Sequence, residues 1–433
     1  MICILLDIIY ILLMVLLTPF VLYRMIAKGR YRRGWKERFG FVPPRSSDQP
    51  CIWIHAVSLG EINAIGSLVK QLHKTLPQYE IVISSTTDTG IARAKKLYSL
   101  SHQVFFFPLD FSFAVRRAFQ RLRPRLCVLM ELELWHNFSV IAQKHNIPLV
   151  IANGRISSSK GFPRYKKIAP LARPMFRRLS LVLAQDETYA QRFRFLGTSA
   201  EKVKVVGLLK YDTAEVTDKV GGVDELARSL NLSPDQMLWV AGSTGPDEEQ
   251  IILDSFQQLL REKALKKLRL IIVPRKPERF DEVAKLIESR DHRLLRYSQV
   301  KAGKYQPTHD DDNAVILGDT LGDLRKFYNL ARVIFVGRSL VPMGGSDMME
   351  AAALAKPVVV GPYTENFMET VQKLTAAGAI EIVADGRQLI QVTKKLLLDK
   401  TAAHQMAQHA RQVILDNKGA TARTIEHITQ LLN

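Results

Sequence analysis

Two chemical roles are open to a glutamate near the start of this sequence. Glu61 follows the apolar run Ile52–Val57 and stands three positions after Ser58. The spacing Ser-x-x-Glu is that of a capping box, in which both side chains satisfy backbone groups at the start of a helix. A carboxylate held in a cleft is also a general base, because loss of water raises its pKa toward neutrality. The sequence alone leaves both roles open for Glu61.

Polar and glycine-rich residues also follow most of the other apolar runs. They form short groups in both halves of the chain: Ser84–Gly90, Glu131–Trp135, Asn153–Arg155, Gly242–Thr244, Pro274–Lys276, Gly318–Gly322 and Gly344–Ser346. In parallel sheets, ligands bind beyond the carboxyl ends of the strands. A structural protein has no reason to place such residues there, so the pattern predicts an enzyme.

The segment Gly344–Glu350 is the strongest local signal for nucleotide binding. The glycine pair Gly344 and Gly345 lets backbone approach a ligand closely. Ser346 is placed to cap the next helix, whose free N–H groups suit a phosphate. Glu350 is then about one turn into that helix, where it can accept hydrogen bonds from ribose hydroxyls. The alternative is an ordinary loop before a capped helix with a surface glutamate.

The elements that must position these residues alternate between short strands and helices. Apolar runs predict two series of strands: 52–57, 81–85, 104–107, 126–130, 149–152, 181–184 and 203–206, then 238–241, 268–273, 314–317, 333–336, 358–360 and 380–383. Continuous apolar strands separated by helices indicate parallel sheets covered on both faces. We therefore expect an α/β protein with two doubly wound, Rossmann-like domains, at 25–212 and 213–433, and a site in the cleft between them. The last 30 or so residues read as helix.

The N-terminus predicts a membrane anchor. Residues 1–23 are apolar except for Asp7, Thr18 and Pro19, which is long enough to span a bilayer as a helix. A basic cluster follows and should remain in the cytoplasm: Arg24, Lys28, Arg30, Arg32, Arg33, Lys36 and Arg38. We expect residues 1–24 to anchor the protein to the inner membrane from its cytoplasmic side, either across the bilayer or in its interface.

Charge and composition narrow the partners. The net charge is +19, and residues 1–210 carry all of the excess. A basic half predicts a polyanionic partner, either nucleic acid or an anionic membrane and a phosphorylated lipid. Motifs typical of nucleic-acid binding are missing, which favours the lipid. We expect no metal, because Asp310–Asp312 lies in a polar loop and is better explained as a solvated turn. The three cysteines lie far apart in the sequence, which predicts free thiols in a reducing compartment.

Nine segments together resemble one enzyme family. They are YRRGWKERFG (Tyr31–Gly40), HAVSLGE (His55–Glu61), MELELW (Met130–Trp135), NGRIS (Asn153–Ser157), GLLKYD (Gly207–Asp212), VPRKPERF (Val273–Phe280), GDTLGDL (Gly318–Leu324), FVGRSL (Phe335–Leu340) and GPYTENF (Gly361–Phe367). In this order and spacing they are similar to the transferases of 3-deoxy-D-manno-octulosonic acid (Kdo) in lipopolysaccharide synthesis, which have a GT-B fold.

The resemblance implies a reaction and a set of site residues. The donor would be CMP-Kdo, the acceptor a lipid A precursor (lipid IVA), and transfer would invert the anomeric centre without a cofactor or metal. The family's base aligns with Glu61, and Glu131, Glu133 and Lys210 would surround the reacting centre. The positions matching its CMP site are Pro274, Arg275, Leu321, Gly322, Asp323, Gly344, Gly345, Ser346, Asp347, Met348, Met349 and Glu350.

Two departures from the family pattern concern the donor. Ser346-Asp347 replaces the usual His-Asn, and Asp347 would repel a phosphate unless it turns away or meets a basic residue. His136 replaces the usual proline after Trp135. The alternatives are a related GT-B enzyme or epimerase that uses UDP-GlcNAc, and a membrane adaptor without activity. The sequence leaves open the number of Kdo units, the acyl pattern of the acceptor and the oligomeric state.

Overall fold

The apolar runs form buried parallel strands, and the polar groups after them lie at strand ends. The structure, a computed structural model, describes residues 2–28, 32–45, 47–158, 161–233 and 235–433. Arg30, Tyr31 and Lys160 lie outside these residues, and the structure therefore does not test what the sequence indicates for them. The chain divides into two compact units, Met1–Thr213 with Asn417–Asn433, and Ala214–Asp416.

The first unit contains a seven-stranded parallel sheet. Its strands are β1 (Cys51–His55), β2 (Glu80–Ser85), β3 (Gln103–Phe106), β4 (Pro124–Met130), β5 (Leu149–Gly154), β6 (Leu181–Ala184) and β7 (Val203–Val205). They pair in the order β3-β2-β1-β4-β5-β6-β7. The sheet is therefore extended on one side of β1 by β2 and β3, and on the other side by β4 to β7. Trp53 faces one apolar layer and Ile52 and Ile54 the other, as a doubly wound sheet requires.

Helices cover both faces of this sheet. They are α1 (Ile2–Lys28), α2 (Trp35–Arg38), α3 (Leu59–Ala64), α4 (Gly66–Thr75), α5 (Asp88–Tyr98), α6 (Ser112–Leu122), α7 (His136–Lys144), α8 (Gly161–Lys167), α9 (Ala169–Arg177), α10 (Glu187–Phe195) and α11 (Lys210–Thr213), with a 3₁₀ turn at Ala200–Lys202. The predicted N-terminal helix is present, and by length and composition Ile2–Ala27 is able to cross a membrane. Cys51 and Cys127 are buried, whereas Cys3 is partly exposed.

The second unit contains another seven-stranded parallel sheet. Its strands are β8 (Met237–Thr244), β9 (Leu268–Pro274), β10 (Leu294–Arg296), β11 (Val315–Leu317), β12 (Val333–Val336), β13 (Val358–Val360) and β14 (Glu381–Ile382). They pair in the order β10-β11-β9-β8-β12-β13-β14. The prediction missed β10, which is an edge strand of three residues with too few apolar positions to form a run.

The helices of the second unit complete its layers. They are α12 (Val223–Ser229), α13 (Glu248–Leu259), α14 (Phe280–Ser289), α15 (Tyr297–Lys301), α16 (Leu324–Leu330), α17 (Met349–Ala353), α18 (Met368–Ala376), α19 (Gly386–Leu398) and α20 (Lys400–Asp416). Short 3₁₀ turns lie at Lys263–Leu265, Pro277–Arg279, His309–Asp311 and Glu365–Phe367. The Asp310–Asp312 turn is not simply solvated, since Asp311 is buried and pairs with Arg293 at 2.8 Å.

The predicted second domain, 213–433, extends too far toward the C-terminus, because α21 (Ala420–Leu432) belongs to the first unit. Its side chains Ile425 and Ile428 are buried in the core of that unit. Asp212 accepts hydrogen bonds from the backbone N–H groups of Gly419 and Thr421 at the start of the helix. An apolar face and a capped N-terminus therefore tie the end of the chain to the first sheet, a long-range pairing that local periodicity does not reveal.

Candidate functional site

The carboxyl ends of β1, β4 and β5 bring the acidic residues of the first unit to one edge of its sheet. Ser58 and Glu61 follow β1, Glu131 and Glu133 follow β4, and Arg155 follows β5. Because these three strands are adjacent and parallel, residues far apart in sequence become neighbours. Glu61 and Lys210 both act on the ionisation of Glu131, and Glu61 and Glu131 act on that of Glu133. The catalytic roles of these four residues stay predictions.

Glu61 forms half of the capping box that its spacing predicts, and its carboxylate binds the Val57 N–H in place of the Ser58 N–H. The Glu61 N–H donates to Ser58 Oγ at 3.2 Å, and Ser58 Oγ donates to Glu61 Oε1 at 2.9 Å. The Val57 N–H donates to Glu61 Oε2, also at 2.9 Å. Each carboxylate oxygen keeps a second lone pair. The cap fixes the carboxylate in place and leaves it able to accept a proton, so the role of base stays a prediction.

Burial and mutual repulsion shift the two neighbouring carboxyls. Burial, then the charge of Glu61, raises the pKa of Glu133 to about 7, although a hydrogen bond from the indole of Trp135 opposes the shift. Burial also raises the pKa of Glu131, with Arg155, at 3.3 Å, and Lys210 pulling it down. Glu131 has a left-handed backbone with φ 53°, a conformation that costs energy for a non-glycine residue. Such strain and such shifts mark functional sites.

Two further polar residues, Arg155 and Asn153, contribute to the site. Arg155 pairs with Glu131, and Asn153 accepts a hydrogen bond from the Leu209 N–H at 3.2 Å. Asn153 thereby positions the segment that leads to Lys210. The sequence signal for both residues is their position in a polar group, Asn153–Arg155, directly after an apolar run. His55 is not a base: burial lowers its pKa to about 3, and its ring stacks on Phe107.

The raised pKa of Glu133 predicts a pH-dependent stability. The unfolded chain loses this proton near pH 4.5 and the folded chain near pH 7, so the stability contributed by Glu133 is complete below pH 4.5 and falls as pH rises to about 7. We expect Glu133→Gln to be more stable than wild type at pH 8, by up to about 3 kcal/mol, and equal to it at pH 4. Thermal unfolding of both proteins across this pH range measures the difference, and parallel curves would contradict the prediction.

In the second unit, the predicted donor positions follow β9, β11 and β12. Pro274 ends β9 and is buried, whereas the side chain of Arg275 is exposed. Leu321 is highly exposed and Gly322 has φ 92°, with open space where a side chain would begin. This edge of the second sheet therefore offers Arg275 and an exposed loop to a ligand.

Asp323 is held by basic side chains. Burial alone would raise the pKa of Asp323. Hydrogen bonds from Lys301, Lys326 and Thr320 instead hold this pKa below its ordinary value. Its carboxylate is 3% exposed. Asp323 thus shapes the loop and places two lysines, and as a buried residue it is not itself exposed to a ligand.

The structure corrects the predicted cap in the segment Gly344–Glu350. Ser346 does not cap the next helix, because its hydroxyl donates to the Ser243 carbonyl at 3.2 Å. The N-cap residue of α17 is Met348, and Asp347, just before it, accepts the Met349 N–H at 2.9 Å. The charge of Asp347 is therefore directed at the start of α17, which is one of the arrangements that would relieve its repulsion of a phosphate.

The glycines and methionines of this segment have structural reasons for their identity. Gly344 and Gly345 both have φ 81°, and a Cβ on Gly344 would lie 2.3 Å from Asn366. Met348 and Met349 are buried, so their side chains belong to the core. The sequence predicted a close approach of the glycine backbone to a ligand. In the structure, the close approach is to other atoms of the protein.

Glu350 remains accessible at the start of α17. The surrounding protein raises its pKa by displacing water, and the charge of Asp347 adds to the shift, while Arg325 and Arg275 oppose it. Arg275 and Glu350 are therefore close enough to interact electrostatically. A basic and an acidic side chain side by side suit a ligand that has both a phosphate and hydroxyl groups.

The two doubly wound units define a GT-B glycosyltransferase fold. The structure matches that of a glycosyltransferase from Rickettsia africae with a TM-score of 0.59 at 13% sequence identity, over 89% of this chain and 99% of that one. At this identity the likeness shows the fold alone.

Sequence comparison identifies the family. A family model described as 3-Deoxy-D-manno-octulosonic-acid transferase (kdotransferase) matches residues 33–213. The chain is 34% identical to the 3-deoxy-D-manno-octulosonic acid transferase of Haemophilus influenzae, over 95% of this chain and 94% of that protein. It is 32% identical to the enzyme of the same name from Bordetella pertussis, over 88% and 87%. The chain belongs to the 3-deoxy-D-manno-octulosonic acid transferase family. This confirms the expected activity, Kdo transfer in biosynthesis of the lipopolysaccharide core.

Proposed function

We propose that this enzyme transfers Kdo from CMP-Kdo to a lipid A precursor of the lipid IVA type, with inversion at the anomeric carbon. The observation that carries the proposal is the group of Glu61, Glu131 and Glu133 at one sheet edge of the first unit, with Arg155 and Lys210 acting on Glu131. Such a group places a carboxylate held by hydrogen bonds, Glu61, beside two carboxyls whose pKa is raised.

The chemistry follows from direct displacement. The acceptor hydroxyl oxygen attacks the anomeric carbon of Kdo while the bond from that carbon to the CMP phosphate oxygen breaks. Glu61 takes the hydroxyl proton, and CMP leaves with the bonding electrons. Glu133, with a pKa of about 7, exists in both protonation states near neutral pH. When it is protonated it adds no negative charge beside Glu61, and Lys210 and Arg155 offset the charge of Glu131.

Product analysis tests the proposal. The full-length protein is incubated with a tetra-acylated lipid A precursor and either CMP-Kdo or UDP-GlcNAc, and the lipid is analysed by mass spectrometry. We expect Kdo to be added from CMP-Kdo and no sugar from UDP-GlcNAc. Transfer from UDP-GlcNAc would support the alternative GT-B enzyme. The same spectra count the Kdo units added.

The donor site needs no divalent metal in this proposal. Arg275 lies in an exposed loop, where its guanidinium can take the charge of the donor phosphate, and Glu350 can accept hydrogen bonds from the ribose. We expect activity to be unchanged in EDTA, with Arg275→Ala raising the KM for CMP-Kdo roughly 10-fold or more, about the cost of a lost charged hydrogen bond. Loss of activity in EDTA that magnesium restores would contradict this prediction.

We also propose attachment to the cytoplasmic face of the inner membrane, as α1 and the basic residues after it indicate. A further basic stretch contacts anionic lipid in this proposal. No acidic residue occurs between Glu133 and Asp186. Eight basic residues lie in part of that interval: Arg155, Lys160, Arg164, Lys166, Lys167, Arg173, Arg177 and Arg178.

In the structure this basic stretch forms two helices, α8 and α9. Its aromatic and methionine side chains contact the core of the first unit: Phe162, Tyr165, Met175 and Phe176. The exposed apolar residues are Ile168 and Leu171. Arg178 donates to Gln143, so it also has a structural role.

We expect the exposed charges of α8 and α9 to bind anionic vesicles. A protein lacking residues 1–24 should bind them at low salt, and added salt should weaken binding, because each basic residue contributes about 1 kcal/mol near such a surface. Replacement by Ser of Arg164, Lys166, Lys167, Arg173 and Arg177 should abolish binding and leave CMP affinity intact. The matched control replaces five exposed lysines elsewhere in the unit: Lys70, Lys74, Lys95, Lys96 and Lys204. Equal loss of binding in both variants would show that vesicle binding depends on net charge and not on the position of α8 and α9.

A further inference from the structure

The N-terminal helix α1 is covered along one side only. Its partly covered residues follow each other at helical spacing, and in an ideal helix they fall on one face: Cys3, Leu6, Asp7, Tyr10, Met14, Val21, Arg24 and Met25. The remaining faces expose large apolar side chains such as Ile4, Leu12 and Leu16. This pattern indicates a helix that lies along the first unit, with its apolar faces directed outward.

A carboxylate in the apolar helix makes the contact specific. Asp7 accepts hydrogen bonds from the Ser112 N–H at 2.8 Å, from the Ser112 hydroxyl, and from the Asn137 side-chain amide at 3.0 Å. Ser112 begins α6, and Asn137 lies in the first turn of α7. At the start of α6 the free Ser112 N–H and the helix dipole favour a negative charge. At α7 the first N–H groups, of Asn137 and Phe138, donate to the neighbouring Asp110, and only the Asn137 side chain reaches Asp7. Asp7, which is anomalous in a membrane helix, is thus a satisfied docking residue.

An aromatic surface continues from the docked face. The ring of Tyr10 meets Phe111 edge-on at 6.0 Å, and Phe111 stacks on Phe39 and Phe113. These rings adjoin an open hollow of about 380 Å³, lined by Trp35, Lys36, Phe39, Phe41, Phe113 and Arg117. Aromatic and basic side chains of this kind are enriched where proteins meet lipid headgroups.

Docking and spanning are mutually exclusive for this helix. Asp7 and Arg24 are 17 residues apart, or about 26 Å along a helix, close to the thickness of a bilayer's hydrocarbon core. If the helix crossed the membrane with Arg24 in the cytoplasm, Asp7 would be near the opposite surface. It could not then reach Ser112, which belongs to the same unit as the catalytic carboxylates.

We propose that α1 does not cross the membrane but lies in the plane of its cytoplasmic interface, docked on the first unit through Asp7. Its outward apolar faces enter one leaflet, and the aromatic surface rests beside them at headgroup level. This inference rests on the proposed membrane attachment and gives it a geometry. Docking fixes the distance between the carboxylate site and the lipid surface from which an acceptor with lipid chains must be taken.

Disulfide trapping in native membranes tests the docking. In full-length protein carrying Cys3→Ala, the pair Asp7→Cys and Ser112→Cys should form a disulfide on mild oxidation, since their side chains are in contact. The control pair Leu16→Cys and Ser112→Cys should give about 10-fold less, because Leu16 is on the outward side. The pair Ser67→Cys and Thr421→Cys, whose hydroxyls are 3.0 Å apart, shows that the unit is folded and the oxidant effective.

The outcomes separate this inference from the proposed function. A disulfide in the Asp7 pair supports docking. Absence of that disulfide, while the Ser67 pair reacts and Ile2→Cys in protein that retains Asp7 is labelled from outside, overturns docking and leaves the proposed activity and attachment standing. Protein recovered in the soluble fraction overturns both the docking and the attachment. As a second measurement that retains Asp7, Ile2→Cys in spheroplasts should not react with a membrane-impermeant maleimide, and labelling from outside would show a spanning helix.

Discussion

Replacing Glu61 by Gln should lower turnover by at least roughly 100-fold, with little change in the affinity for CMP-Kdo. Glutamine keeps the size of the side chain and an oxygen that accepts the Val57 N–H, but it cannot take a proton at neutral pH. The proton of the acceptor hydroxyl would then have no acceptor in the transition state. Single-turnover kinetics with saturating CMP-Kdo and lipid acceptor measures the loss separately from binding.

The matched control for this prediction is Ser58→Ala. It removes the N-cap hydroxyl, which costs about 1 kcal/mol of stability, and one hydrogen bond to the Glu61 carboxylate, while the Val57 N–H still holds Glu61 Oε2. We expect Ser58→Ala to retain turnover within about 10-fold of wild type while melting at a lower temperature. If Glu61→Gln and Ser58→Ala lose turnover equally, Glu61 acts as a cap and another group is the base. Glu133, with its pKa of about 7, would be the next residue to replace.

Replacing Glu248 by Ala should destabilise the second unit by about 3–5 kcal/mol and raise the KM for the donor. The buried Glu248 carboxylate accepts backbone N–H groups from Gly245, Arg338, Ser339 and Leu340, at distances of 2.5–2.9 Å. Alanine would leave these groups without a partner inside the protein. The Arg338 carbonyl in turn accepts the Gly345 N–H, so the loss extends to the segment that leads to Asp347 and Glu350.

Hydrogen exchange and kinetics together test the role of Glu248. Exchange at residues 337–345 should accelerate in Glu248→Ala at temperatures where the protein is still folded, and the KM for CMP-Kdo should rise more than kcat falls. The control is Glu262→Ala, a half-exposed carboxylate paired with Lys394 on the surface, for which we expect a loss of at most about 1 kcal/mol. Unchanged exchange in the 337–345 segment would show that the turn does not depend on Glu248.

The sequence determined the two sheets and the edge at which the candidate site lies. Buried parallel strands must be continuously apolar, so runs such as Leu181–Ala184 and Val333–Val336 mark strands with few alternatives. Because parallel strands end at a common edge, the sequence predicted that the polar residues after the strands, Glu61 and Glu131 among them, lie at that edge. Their grouping around one reacting centre was implied by the family resemblance. Spacing alone also predicted the bond from the Glu61 N–H to the Ser58 hydroxyl, since that bond is local.

Only the tertiary structure decided how residues distant along the chain are paired. Ser346 donates to Ser243, which leaves the helix start to Asp347, and no local pattern distinguishes these two partners. Likewise, Phe162 and Tyr165 turn toward the core, and α21 returns to the first sheet, because burial there depends on which elements become neighbours. Local sequence records periodicity and caps, whereas the partner of a buried polar group and the direction of an apolar one are set by the completed packing. Asp7 shows this most clearly: in sequence it is a charge within an apolar helix, and in the fold it is bonded to the starts of two others.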